Sequence, residues 1–153
     1  MTNTVANKEL VITRIFDAPR ELVYQAFVDP DQIAQWFGPV GFSVPRDTID
    51  IDARTGGHQR MVMVSDDDPN MTSPVDARFT EVIENELLVG AEEWDPTPGE
   101  AEPVAMYMRL EFHDEGDKTR IVLRQGPYTE EVEGMAREGW NSSFTKLDNL
   151  LGS

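Results

Sequence analysis

The chain has no cysteine, so disulfides, thiolate metal sites and a cysteine nucleophile are all excluded. Lysine is nearly absent, with Lys8, Lys118 and Lys146 the only three, and the remaining basic residues are arginines. Basic charge is scarce altogether: 13 basic against 29 acidic side chains leave a formal charge of −16. Such a chain repels a phosphate backbone and an anionic membrane surface, which excludes nucleic acid and membrane as ordinary partners. No apolar run approaches the ~18 residues that a membrane span needs. The opening MTNTVANKEL lacks a basic stretch followed by an apolar one, so it does not read as a secretion signal. A cytoplasmic setting is expected, and the acidic, lysine-poor surface also suits a salt-rich one.

What is present is one domain's worth of chain: 153 residues, enough to bury roughly two thirds of the unfolded surface. The strongest pattern lies at the end. From Thr129 to Leu151, Val132, Met135, Ala136, Trp140, Phe144, Leu147, Leu150 and Leu151 fall on one helical stripe. Thr129 is a cap, Glu130, Glu131 and Glu133 complement the helix dipole, Lys146 sits near the other end, and Gly152 is placed to close the helix. At ~1.5 Å per residue this helix is roughly 34 Å long, enough to cross a small sheet.

Taken in order, Leu10–Phe16 reads as a first strand, with residues 1–9 a frayed tail. Asp17-Ala18-Pro19 opens a helix carrying Leu22, Val23, Ala26 and Phe27. Asp29-Pro30-Asp31-Gln32 opens a second, capped by Asp29, with Ile33, Trp36 and Phe37, stopping at Gly38-Pro39. Period-two segments follow: Phe42–Ile51, its first half demoted to an edge or bulge by Pro45, then His58–Val64, Ala77–Ile83 and Leu87–Trp94. A proline-rich connection spans Asp95–Glu100. Val104–His113 alternates cleanly, with Met106, Met108, Leu110 and Phe112 opposite Tyr107, Arg109 and Glu111. Lys118–Gln125 returns with Thr119, Ile121 and Leu123 on one face, and Gly126-Pro127 is expected to break it. Short connections between strands predict an antiparallel sheet with helices on one face, an α+β domain over residues 10–151.

The opening ITRIFDAPRELVYQAFVDPDQIAQWFGP resembles the start of the Hsp90-ATPase-activator-like branch of the START-related superfamily. Gly56-Gly57 before Met61 and Met63, Phe79-Thr80-Glu81-Val82, and Gly139-Trp140 with Phe144 and Leu147 agree in order, so the likeness runs from about Leu10 to Leu150. The resemblance implies a helix-grip fold: a curved antiparallel sheet of six or seven strands around the long C-terminal helix, often with a cavity between them. It also implies a binder of hydrophobic or aromatic small molecules, since single-domain members mostly resemble such proteins. Where many relatives carry an aromatic residue this chain has Gln59, and where some do it has Met61. Both are flexible side chains that widen or soften a cavity. The sequence has no separate N-terminal domain of the kind the eukaryotic co-chaperone carries, which counts against a full co-chaperone role.

The candidate cavity walls are Trp36, Phe37, Met61, Met63, Phe79, Met106, Met108, Trp140 and Phe144, residues that would serve an ordinary core as well. Glu81 shares the face of Phe79 by strict alternation, and a buried carboxylate needs a partner, for which Arg60, Arg109 and Arg124 are candidates, or a ligand to anchor. Three functions stay open. The first is a binding protein with an apolar cavity. The second is a cyclase- or hydrolase-type enzyme using Glu81 or His58. The third is a protein-interaction module like the chaperone activators, which needs an exposed apolar patch. Asp66-Asp67-Asp68 with Asn70 lacks the sixth-position glycine and twelfth-position glutamate of a calcium loop. Nothing calls for a metal or cofactor, and monomer and homodimer are both compatible with the sequence.

Overall fold

In the computed structural model, residues 8–94 and 104–151 are described. The connection at residues 95–100 and the closing role of Gly152 lie outside them. The order is β1 (Lys8–Phe16), α1 (Arg20–Val28), α2 (Pro30–Trp36), β2 (Phe42–Ser43), β3 (Asp50–Asp52), β4 (His58–Ser65), β5 (Thr72–Ile83), β6 (Leu87–Trp94), β7 (Val104–Glu115), β8 (Lys118–Tyr128) and α3 (Glu130–Leu150). The strands form one antiparallel sheet in the order β1-β8-β7-β6-β5-β4-β2, with β3 paired to β4. This is the helix-grip arrangement, α+β with α3 laid against β1 and β8.

Local chemistry sets the element ends. Thr129 Oγ1 accepts the Val132 N–H at 3.2 Å and opens α3, with three glutamates in the first turn. Asp29 Oδ1 accepts the Asp31 N–H, Pro30 takes the first helical position, and Gln32 Nε2 donates to Asp29 Oδ2 at 3.2 Å. That last bond runs side chain to side chain, a variant of the reciprocal cap in which the glutamine returns to the backbone.

Four boundaries depart from the alternation. The Phe42–Ile51 segment is two short strands separated by a 3-10 turn over Arg46–Thr48, because Pro45 has no N–H for the ladder. β5 begins at Thr72, earlier than Ala77, and pairs fully with β4. β1 begins at Lys8, since Lys8 pairs with Tyr128. β8 runs through Gly126-Pro127 to Tyr128, because Gly126 still pairs with Tyr107 of β7.

The layer between sheet and helices is filled unequally. At one end Phe16, Phe27, Trp36, Phe112 and Phe144 are buried and meet mostly edge-to-face, with centroids 4.9 to 6.4 Å apart. A smaller cluster of Ile33, Val44, Ile49 and Met61 sits under the β2–β3 segment. Toward the first half of α3 the two layers separate.

Candidate functional site

Between the sheet and the first half of α3 lies a cavity of about 530 Å³. That volume falls within the ~300–1,000 Å³ range of small-molecule sites. Val132, Met135, Ala136, Gly139, Trp140 and Ser143 of α3 form one wall. The sheet supplies Gln59 and Met63 from β4, Ala77 and Phe79 from β5, Gly90 and Glu92 from β6, Met106 and Met108 from β7, and Gln125 and Tyr128 from β8. Phe37, Gly38 and Pro39 close one end, where Gly38 turns the chain at φ +98°, a conformation that glycine adopts without strain. Met135 and Tyr107, both exposed, mark the side open to solvent.

Of the walls expected from sequence, Phe37, Met63, Phe79, Met106, Met108 and Trp140 line this space. Trp36, Met61, Phe144 and Glu81 do not. Trp36 and Phe144 are wholly buried in the aromatic end of the core, and Met61 packs in the smaller cluster. A helical stripe places Trp140 and Phe144 on one face. It carries no information that the layer gap ends between them.

Glu81 is displaced by a bulge. Phe79 pairs with Gly90 and Glu81 with Val89, so Thr80 is the extra residue and the inward set continues at Val82. Glu81 is therefore exposed, and its expected inward placement is corrected. His58 lies on the face of β4 opposite Gln59. Its Nε2 is 3.0 Å from Asp50 Oδ1, an ion-pair distance without hydrogen-bond alignment, and it does not border the cavity. Neither residue invoked for an enzymatic reading reaches the site.

The polar groups that do reach it were not singled out by sequence as anchors. Gln125 Oε1 accepts from the Trp140 indole Nε1–H at 2.8 Å and holds the ring against the sheet. Phe37 meets that ring edge-on at 5.8 Å. Ser143 Oγ donates back to the Gly139 carbonyl at 3.0 Å. Tyr107 turns its hydroxyl to Glu9 Oε2 at 2.6 Å, and Arg124 donates to Glu9 Oε1 at 2.9 Å. That hydrogen bond to Glu9 is the main reason the Tyr107 hydroxyl is pushed up to about 12. Glu92 Oε2 accepts the Asp76 N–H at 3.1 Å. Burial raises the Glu92 carboxyl, and burial, followed by the Glu92 charge, pushes the Tyr128 hydroxyl up to about 12. The period-two pattern carried a signal for Glu92, which falls two residues after Gly90 and four after Leu88. Tyr128 was hidden behind Gly126-Pro127.

A family model, Activator of Hsp90 ATPase homolog 1-like protein, matches residues 17–152. The chain belongs to that family. No curated protein matches it. Among solved structures, a protein of Chromobacterium violaceum is 22% identical with a TM-score of 0.80, covering 95% of this chain and 97% of the other. The AHSA1 protein of Silicibacter pomeroyi is 24% identical with a TM-score of 0.79, covering 94% and 97%. A protein of Nitrosomonas europaea is 23% identical with a TM-score of 0.76, covering 94% and 93%. At these identities the likeness establishes the shared fold. No helix among the described residues is long and apolar enough to cross a membrane.

Proposed function

We propose that this family member binds a hydrophobic or aromatic small molecule, in the cytoplasm, between its sheet and α3. The observation that carries the reading is the cavity beside Trp140, walled by two cavity-facing methionines of β7, Phe79 and the α3 face. A packed domain closes such a gap with side chains, because interiors approach crystal density. Here Gly90, Ala77 and Gly139 face the space, where larger residues would fill it. Methionines there give an adaptable lining, and the indole offers a flat, oriented surface.

The test is a thermal-shift screen against aromatic polyketides, flavonoid-like compounds and fatty acids. A ligand at 100 times its Kd adds about 2.7 kcal/mol, a rise of roughly 5–10 °C for a domain this size. One class should produce that rise, and Trp140→Ala should abolish it. No rise with any class, or a rise indifferent to Trp140→Ala, overturns the reading.

A further inference from the structure

The concave face of the sheet carries a transverse polar row. Gln59 of β4 pairs with Ala77 of β5, and the pairing of Arg78 with Ala91 sets Ala77 beside Glu92 of β6. Glu92 pairs with Met106 of β7, and the pairing of Tyr107 with Gly126 sets Pro127 of β8 opposite Met106; Tyr128, the next residue of β8, stands one position along the strand from the end of the row. Gln59, Glu92 and Tyr128 stand on alternate strands, hence roughly 10 Å apart from one to the next. All three border the cavity.

Their hydrogen-bonding capacity is largely unspent. Gln59 is 8% exposed and Tyr128 also 8%, yet neither the Gln59 amide nor the Tyr128 hydroxyl bonds to another side chain or backbone group among the described residues. Glu92 accepts a single bond, from the Asp76 N–H. Gln125 and Ser143, by contrast, are engaged with Trp140 and Gly139. A partly buried carboxylate gains from each further donor, and Glu92 has one side open to take it. No lysine or arginine stands among the described residues lining the cavity, and the chain carries a formal charge of −16. An anionic head group finds no counter-charge there, whereas a donor finds a carboxylate.

We propose that the row Gln59–Glu92–Tyr128 is a polar subsite that selects ligands by head group: a planar apolar body beside Trp140 with a hydroxyl or N–H set against Glu92, to the exclusion of carboxylate-headed compounds. The inference rests on the binding reading above and names its ligand class. Tyr128, held neutral by burial and by the Glu92 charge, donates to an acceptor on the same edge of the ligand. Gln59 offers both a donor and an acceptor to its far end.

Three probes that share one planar body test it: 1-hydroxypyrene, 1-methoxypyrene and 1-pyrenecarboxylate, titrated at neutral pH by tryptophan-to-pyrene energy transfer. The hydroxyl probe should bind about tenfold more tightly than the methoxy probe, and the carboxylate most weakly. In Glu92→Leu the hydroxyl-over-methoxy preference should vanish. Glu92→Gln, which keeps the acceptor for the Asp76 N–H, should strengthen the carboxylate probe, and it decides the matter if the leucine variant fails to fold. If hydroxyl and methoxy probes bind the natural protein within about twofold of each other, the subsite is refuted and the cavity reading stands. The same holds if the preference survives Glu92→Leu. If none of the three binds, both readings fall.

Discussion

The Trp36 indole Nε1–H donates to the Ala26 carbonyl at 2.8 Å, in the buried angle between α1 and α2. That carbonyl belongs to the last turn of α1, where no helical N–H is left to satisfy it. The chain leaves α1 through an extended Asp29, and Pro30 has no N–H to offer. One aromatic side chain thus completes the first helix from the end of the second. The Asp-Pro and Trp-Phe-Gly-Pro segments of the sequence are two halves of one joint.

Trp36→Phe should therefore act on stability and leave binding alone. It strands a buried carbonyl, worth about 1–3 kcal/mol, and removes part of a fully buried ring. We expect a total loss of about 2–4 kcal/mol by urea denaturation. Affinity for 1-methoxypyrene should stay at the natural value, since Trp36 does not line the cavity. A weakened probe at full stability would place Trp36 in the wall after all.

Gly139→Leu should do the reverse. A Cβ at Gly139 meets no atom within 4 Å, and the residue faces the cavity from inside α3. Leucine gains about 0.8 kcal/mol of helix propensity over glycine and fills part of the space. The expected result is an unchanged or higher Tm with probe affinity reduced tenfold or more. Unimpaired binding would show that ligands occupy some other part of the molecule.

The helices and the sheet were legible because each rests on local pattern. Capped α2, the α3 stripe and the β7 alternation all follow from residues within a few positions of one another. The face of Glu81 was not legible. A single extra residue, Thr80, flips every later side chain of β5, and nothing in Phe79-Thr80-Glu81-Val82 distinguishes a bulged strand from a regular one. Nor could the stripe tell Trp140 from Phe144, because where a packed core gives way to a cavity depends on the distance between layers. Gln59 stands out in the sequence only as a departure from relatives, and its role as the buried end of a polar row depends on the register of five strands.

The turn before β4 offers a sharper test of backbone geometry. A Cβ built on Gly57 would stand 2.0 Å from the Asp52 carbonyl oxygen and 2.9 Å from that of Arg54. Gly57 also accepts the Phe79 N–H at 3.0 Å, so the strand opposite cannot retreat freely. Gly57→Ala should cost about 3 kcal/mol or more, the upper end of what overpacking does. Gly134→Ala serves as the contrast. A Cβ there meets nothing within 4 Å in exposed α3, and the change should stabilise by roughly 1 kcal/mol. Equal effects at the two glycines would mean that the turn relaxes far more readily than the contacts imply.

Glu92 gives a prediction in pH. Burial raises its carboxyl in the folded protein; the Asp76 N–H opposes the rise and the Asp76 charge adds to it. A raised folded value means that the favourable contribution is complete below the unfolded value, about 4.3, and fades as pH climbs through the folded one. The natural protein and Glu92→Gln should accordingly have similar urea midpoints near pH 4, where both side chains are neutral. By about pH 7.5 the glutamine variant should be the more stable, because it keeps the acceptor for Asp76 and carries no buried charge. Titration of the other acidic residues is common to both proteins and cancels in the difference. A gap that stays constant from pH 4 to 7.5 would show Glu92 to be solvated, and the polar row would lose its central member. A gap that opens with pH marks a carboxylate maintained against stability, and such groups concentrate where a ligand is recognised.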